Sequence, residues 1–363
     1  MYLSKIRLYN FRSYEDFSCH FCKTWNILVG ENGCGKTNLL EAIYYSFTSR
    51  SPRTVHLKEL INMNFSPHKF ALNIEFKKDD INNKVSHKYL YENRKSHKNI
   101  QFNSKKVSIL ELVGKIPFVY FVPEDLNMIK GDSKFRRKLL DFILFQIYPS
   151  YKFSLTKYSG ILKERNVLLR NIRDGKMSAE LLSEWDMMLV DVGFDIFSKR
   201  QNLTKILNQK LKKSDNVYLK ENELEIFYKS SVKSQDDFLA RLRKNREREI
   251  SYGVTLTGVH RDNLQFMLNG SNLKKFGSQG QQRLFILTLK ILTAEVIFGF
   301  TKEKPILIFD DVFSELDLLK IKTLIDILGE KKYQVFVSSV SVAGFSDFFS
   351  NFDTKIFKID ELS

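Results

Sequence analysis

An α/β fold, with a mixed sheet and helices built from both ends of the chain around an inserted, mainly helical lobe, is predicted by three observations. Short apolar runs ending at Gly30 and at Asp310 read as buried strands, each close to a helical pattern, and they stand near opposite termini. Between them, Ser133 to Lys213 is sparse in Pro and Gly and repeats apolar residues at helical spacing, as at Leu139, Leu140, Ile143 and Ile147. The chain has 363 residues, enough for two lobes with a sizeable core. The expected division is residues 1–117 plus 251–363 for the α/β lobe and 118–250 for the helical lobe.

Each element has its own signal. Leu3 to Leu8 is strand-like, with Ile6 and Leu8 facing away from Lys5 and Arg7. Trp25-Asn26-Ile27-Leu28-Val29 is a short strand that runs into Gly30, and Thr37 to Phe47 reads as a helix. Residues 68–107 suggest a β meander with a polar, basic excursion from Asn82 to Ser104. Pro117 to Val122 is another buried strand. After the helical insert, strands are expected at Leu224 to Tyr228 and Asn263 to Leu268, then a helix after Ser278. Pro305 to Asp310 and Val335 to Ser338 close the set. Strand, helix, strand order at both ends places the two termini in one sheet-containing lobe.

The bulk numbers exclude several classes. With 43% hydrophobic and 28% charged residues the chain is globular rather than disordered. Three cysteines form no disulfide framework, and a reducing, cytoplasmic setting is expected. Cys19 and Cys22 form a lone CxxC in an extended segment without a second pair, which favours packing over zinc. Lys5, Arg7 and Arg12 interrupt any signal-peptide core, and Leu284 to Phe300 carries Lys290 and Glu295. No uncharged stretch is long enough to span a bilayer. The formal charge of +16 favours an anionic partner, nucleic acid first.

Three motifs carry chemistry. Gly30-Glu31-Asn32-Gly33-Cys34-Gly35-Lys36-Thr37 matches G-x-x-x-x-G-K-T between a strand and a helix. Its glycines let backbone N–H groups turn toward phosphate oxygens, Lys36 would reach the β- and γ-phosphates of a nucleotide, and the Thr37 hydroxyl would ligate Mg²⁺. Asp310 and Asp311 end a buried strand, where one acid can hold the metal and the next can position the attacking water. Ser278-Gln279-Gly280-Gln281 opens an apolar helix; it reads as a capping box and also displays free N–H groups suited to an anion.

In this order the motifs resemble the ABC-type ATPase heads of the SMC class. More closely, Asn10-Phe11-Arg12-Ser13-Tyr14, Gly30 to Asn38, Pro123-Glu124-Asp125-Leu126, Arg136-Arg137 to Asp141, Leu256 to Asp262, Phe276 to Arg283 and Asp310 to Asp317 resemble the RecF family of bacterial recombination mediators. The resemblance implies an ATP-dependent homodimer with two composite sites. There Ser278 to Gln281 would meet the γ-phosphate held by the other subunit, Asp310 would be the metal-side acid, Asp311 would hold the catalytic position, and Ser314 to Asp317 would line the seam. It also implies DNA binding (single-stranded, gapped or duplex), action in replication, gap repair and the SOS response, a nucleoid-associated place in the cytoplasm, and partnership with RecO and RecR in loading the recombinase. Asp311 instead of Glu, and Ser338 or Ser339 where ABC proteins commonly carry a switch histidine, suggest weak DNA-dependent hydrolysis. Cys34 suggests a thiol-sensitive loop.

A nucleotide-switched DNA-binding module with incidental turnover stays open beside the ATPase reading. His260-Arg261-Asp262 suggests a structural or inter-lobe hydrogen-bond role. Candidate DNA contacts are Arg136-Arg137-Lys138, Lys199-Arg200, the run Arg241 to Arg248, and the excursion between Lys84 and Lys106.

Overall fold

The computed structural model describes residues 1–62, 68–92, 94–213 and 222–361. The chain forms two compact units, Met1–Asp125 with Leu287–Ser363, and Leu126–Ile286. These bounds differ from the expected lobes at two places. Residues 118–125 join the first unit because the strand Phe118–Phe121 pairs with Ile306–Phe309. Residues 251–286 join the second because Asn263–Leu268 pairs with Leu224–Lys229. Pairing between strands distant in sequence leaves no local signal, so composition alone drew the first boundary too early and the second too near the helical run.

In chain order the first unit begins with β1 (Tyr2–Phe11), β2 (Tyr14–His20) and β3 (Trp25–Val29), then α1 (Lys36–Thr48). The meander follows as β4 (Lys69–Lys78), β5 (Ile81–Glu92), β6 (Lys95–Phe102) and β7 (Lys105–Lys106), and then β8 (Phe118–Phe121). The second unit contributes β9 (Leu224–Lys229), β10 (Asn263–Leu268) and β11 (Ser271–Asn272). The chain returns to the first unit for β12 (Ile306–Phe309), β13 (Val335–Ser339) and β14 (Thr354–Lys358).

The first unit has two sheets. One is antiparallel in the order β2-β1-β4-β5-β6-β7, the other parallel in the order β14-β3-β13-β12-β8. Parallel strands are covered on both faces, which explains why β12 and β13 in the centre, and β8 at one edge, are buried at every residue. The antiparallel sheet alternates instead: Ile6, Leu8, Leu72, Ile74 and Val85 point inward. Helix α1 presents a different aromatic to each sheet. Tyr45 meets Phe11, Phe70 and His87, while Tyr44 and Phe47 meet Phe118. Each such ring contributes about 2–3 kcal/mol by burial. Gln334 ties the sheets by hydrogen bonds, accepting from Leu3 N–H at 2.7 Å and donating to Leu3 O at 2.7 Å and Cys22 O at 2.8 Å. Cys19, paired with Ile6, and Cys22, whose thiol donates to Trp25 O at 2.9 Å, are free thiols.

In the second unit the helical insert resolves into Ser133–Ile147, Tyr151–Arg173 and Leu182–Lys213. Two buried ionic networks hold it. Arg165 contacts Asp186 at 2.7 Å and Glu249 at 2.8 Å, all three side chains excluded from water. Arg200 reaches Asp141 at 2.9 Å and Asp262 at 3.4 Å, and Asp262 also accepts from the hydroxyls of Tyr228 and Ser230. Removing one partner of such a network leaves an uncompensated charge and costs roughly 3–5 kcal/mol. Helix Gln279–Thr301 is long and apolar enough to cross a membrane by composition, but two thirds of its apolar window is buried, as in a core helix.

The His260 block is internal to this unit. One His260 ring nitrogen lies 2.8 Å from Tyr158 OH and the other 3.1 Å from Thr255 O, leaving no nitrogen for a metal. Burial pushes His260 down to about 4, and it does the same to His87 in the first unit. Both folded-state values lie below the unfolded value of about 6.5, so the unfolded chain takes up protons first as pH falls. Stability is therefore expected to decline from about pH 6.5 toward 4, by up to roughly 1.4 kcal/mol per pH unit for each histidine. Histidine-selective NMR should show two of the six imidazoles failing to titrate above pH 5 in the native state, with the urea midpoint dropping over the same range. Six ordinary titrations would refute this.

Candidate nucleotide-binding site

The phosphate loop leaves β3 at Val29 and enters α1 at Lys36. Gly33 and Gly35 have φ of +92° and +111°, a region that a side chain strains. At Gly35 space is also short: a Cβ would lie 3.0 Å from Ser13 Oγ and 3.1 Å from Tyr14 OH. Tyr14 OH donates to Gly35 O at 3.0 Å. The Asn10 to Tyr14 block thus supports the loop from below, a role its sequence did not disclose. Arg12 extends the support by a bidentate pair with the fully buried Glu41, at 2.9 and 3.0 Å.

Lys36 is buried, and its ammonium donates to Gly30 O at 2.6 Å and Glu31 O at 2.7 Å. The charge is thereby held over the loop before any ligand arrives. Asp310 and Asp311 follow β12, one strand away from β13, which itself neighbours β3. Asp310 accepts from Thr37 Oγ1 at 3.1 Å and from Ser338 Oγ at 2.6 Å. Burial raises its carboxyl above the usual range, those two hydrogen bonds counteract the rise, and Asp311 and Glu124 add to it. Ser338 Oγ also accepts the Asp311 N–H at 2.8 Å, while Ser339 bonds to Ser341 O. Of the two serines, Ser338 is therefore the one that touches the acids.

Asp311 has φ +51°, a left-handed conformation that costs a non-glycine residue roughly 1 kcal/mol and clusters at functional sites. Its backbone is held on both sides, by Ser338 at the N–H and by the Ser314 hydroxyl donating to its carbonyl at 3.1 Å. The turn separates the two acids: Asp310 is buried, bonded to the half-buried Thr37, and Asp311 is left half-buried. Among the described residues no three His, Cys, Asp or Glu side chains form a metal group. Thr37 and Asp310 supply two hard oxygen donors side by side. That set fits Mg²⁺, which keeps waters and takes phosphate oxygens for the rest.

Ser278 to Gln281 belong to the second unit and the loop to the first. The capping box is present, with Ser278 N–H donating to Gln281 Oε1 at 2.8 Å and Gln281 N–H donating to Ser278 Oγ at 3.2 Å. Ser278, Gln279, Gly280 and Gln281 are all exposed, and a Cβ on Gly280 would meet nothing within 4 Å. Phe276 beside them is 74% exposed, and Leu319, just past the Ser314 to Asp317 segment, is 71% exposed.

Asp360 is a site residue that the sequence reading missed. It stands two positions past Lys358, which pairs with Val29, and its carboxylate accepts the Glu31 N–H at 3.1 Å. A Cβ on Gly30 would lie 2.7 Å from both Asp360 Oδ2 and Cys34 Sγ. Burial pushes the Cys34 thiol up, and Asp360 pushes it further. Asp360→Asn is expected to lower the thiol's pKa and speed iodoacetamide modification of Cys34 several-fold near neutral pH. An unchanged rate would separate Asp360 from the loop.

Known proteins resemble this chain along its whole length. The RecF/RecN/SMC N terminal domain family matches residues 2–125. The DNA replication and repair protein RecF of Bacillus cytotoxicus is 36% identical over 356 residues, covering 95% of this chain and 93% of the relative. A solved structure of the recombination mediator protein RecF-ATPrS in the RecFOR pathway superposes with a TM-score of 0.87 at 30% identity, covering 99% of this chain and 96% of the other. The corresponding RecF-ATP structure gives 0.86 at 31% identity, covering 95% and 93%.

Proposed function

The chain belongs to the RecF family, and on that premise we propose that it is an ATP-driven, DNA-binding homodimer of the RecFOR recombination pathway that hydrolyses ATP slowly. Its work is replication and the repair of single-stranded gaps in the cytoplasm, at the nucleoid and within the SOS response, with RecO and RecR placing the recombinase. The observation that carries the nucleotide chemistry is the joining of Lys36, Thr37, Asp310 and Asp311 at one edge of the parallel sheet.

Loop N–H groups from Gly33 to Thr37 bind phosphate oxygens, and Lys36 adds its charge where the γ-phosphoryl group departs. Thr37 and Asp310 hold Mg²⁺, which neutralises charge on the phosphates when bound. The Asp311 carboxylate orients the attacking water and accepts its proton. Ser278 to Gln281, exposed and capped, contact the γ-phosphate of the partner's nucleotide in a two-fold arrangement. The exposed Phe276 and Leu319 beside this motif and the Ser314 to Asp317 segment suit such a seam.

Asp311→Asn tests the chemistry. ATP and Mg²⁺ binding are expected to persist while hydrolysis slows about a hundredfold or more, and the ATP-bound dimer outlives that of the parent. Sizing in ATP and ADP, with single-stranded, duplex and gapped DNA, measures the dimer alongside turnover. Parental turnover in Asp311→Asn would remove the acid from catalysis and favour the nucleotide-switched binding module. A monomer in ATP would reject the dimer.

A further inference from the structure

We infer that the outward face of the six-stranded antiparallel sheet is a docking surface for the phosphate backbone of duplex DNA, an inference that rests on the DNA-binding reading above. Of the arginines first expected to touch DNA, Arg136, Arg137 and Arg200 are occupied internally, whereas Arg243 and Arg248 are exposed. Arg136 donates to Asn263 Oδ1 at 2.7 Å, Met128 O at 2.9 Å and Gly131 O at 3.0 Å. Arg137 donates to Asp262 O at 2.7 Å, Arg200 lies in its buried network, and Lys199 pairs with Asp195. Each closes a contact inside the second unit and is not free to meet a phosphate.

The strand register shows where other bases gather. One row across the sheet reads Ser18, Arg7, Asn73, Ser86, Gln101, Lys106. A second reads Asp16, Tyr9, Ala71, Lys88, Asn99, and a third His20, Lys5, Glu75, Lys84. Strand alternation puts these on the face opposite Ile6, Leu8, Leu72, Ile74 and Val85, which are buried. In the three rows the bases are Lys5, Arg7, Lys84, Lys88 and Lys106, against the acids Asp16 and Glu75. Both acids sit beside a base already, Asp16 at 2.9 Å from Arg7 and Glu75 at 3.9 Å from Lys84. Lys5, Lys88 and Lys106 form no ion pair among the described residues.

Two features choose duplex over single strands. Non-specific single-strand binders stack bases on aromatic side chains. Tyr9 alone is a phenyl-type ring among the residues of these rows, and Lys69 lies over it at 5.9 Å. Apart from His20, Ala71 and the two acids that sit beside bases, the remaining side chains are hydroxyls, amides, lysines and Arg7, the groups that bind phosphate and sugar without reading sequence. Strands about 4.8 Å apart make six of them span about 24 Å, comparable with the width of a duplex. Lysines on outer strands also discourage edge pairing, which would account for Lys105 and Lys106 on β7. Lys5 and Lys88 lie on inner strands, where that explanation does not reach.

The test is the triple variant Lys5→Gln, Lys88→Gln, Lys106→Gln in the full chain. Binding to a blunt duplex and to oligo(dT) is measured in ATP across a salt series. The slope of log K against log salt for duplex should fall in magnitude by about 2 to 3, one phosphate contact per lysine at about 0.9 each, with a smaller change for oligo(dT). ATP-driven dimerisation and the melting midpoint should match the parent, because Lys88 and Lys106 are exposed, Lys5 is half-buried on the same outward face, and glutamine keeps most of the aliphatic stem. The comparison variant is Arg243→Gln, Lys244→Gln, Arg248→Gln on the exposed helices of the second unit. A duplex slope unchanged in the sheet variant, or lowered only in the helix variant, overturns the sheet surface while leaving the DNA-binding dimer intact. An equal loss for oligo(dT) overturns the duplex assignment. A loss of binding to anionic vesicles with duplex binding retained would assign the face to membrane instead. A parent that binds no DNA at all rejects the underlying reading.

Discussion

Lys36→Met is expected to lower ATP affinity about a hundredfold or more and to abolish ATP-driven dimerisation. Two effects combine. The side chain loses its charge-assisted bonds to phosphate, worth roughly 1.5–3 kcal/mol each. Gly30 O and Glu31 O, which now accept from the ammonium at 2.6 and 2.7 Å, lose their donor, and the loop loses its preset shape. Methionine keeps the aliphatic volume, so α1 and its packing through Tyr44 and Tyr45 should survive. Calorimetric titration with ATP and sizing in ATP measure both effects, while DNA binding without nucleotide should change little. Parental dimerisation by Lys36→Met would remove the loop from the switch.

Ser278→Arg is expected to separate binding from closure. In the single chain the substitution removes a helix cap, about 1 kcal/mol, and leaves the loop in the other unit untouched. In the dimer it sets a long charged side chain where the partner's γ-phosphate is to be met. The bulk of the arginine overpacks the seam, at about 1–3 kcal/mol, and the hydroxyl bond to phosphate is lost, at about 1.5–3 kcal/mol, together about two to four decades in dimer affinity. Monomer ATP affinity should match the parent and no ATP dimer should elute. An equal loss of ATP affinity in the monomer would mean that Ser278 acts within its own subunit.

The loop and the strand ends were legible because their constraints are local. A phosphate loop needs glycine where the backbone turns left-handed, and Gly33 and Gly35 are such positions. A strand buried on both faces is nearly all apolar, so Trp25–Val29 is legible with the bounds it has and Ile306–Phe309 within one residue at each end, while Asn263–Leu268, half-buried in an antiparallel sheet, shows itself by alternation. The capping box at Ser278 is a four-residue pattern and forms as such. Strand β14 carried no such signal, since Lys355, Ile356 and Lys358 are exposed at the sheet edge and Phe357 is buried.

The sequence by itself determined the α/β class, the helical insert, the family and the chemical identity of Lys36, Thr37, Asp310 and Asp311. Only tertiary structure decided which distant residues complete them. Tyr14 under Gly35, Ser338 between the two acids and Asp360 at Glu31 are each brought in by strand pairing across many residues. It also decided the fate of the arginines. A guanidinium has the same charge on a helix surface or in a buried network, and sequence alone does not distinguish the two. Arg136, Arg137 and Arg200 are consumed by carbonyls and carboxylates inside the second unit, whereas lysines dispersed through β1, β5 and β7 gather on one face, because pairing register aligns side chains that the chain order keeps apart.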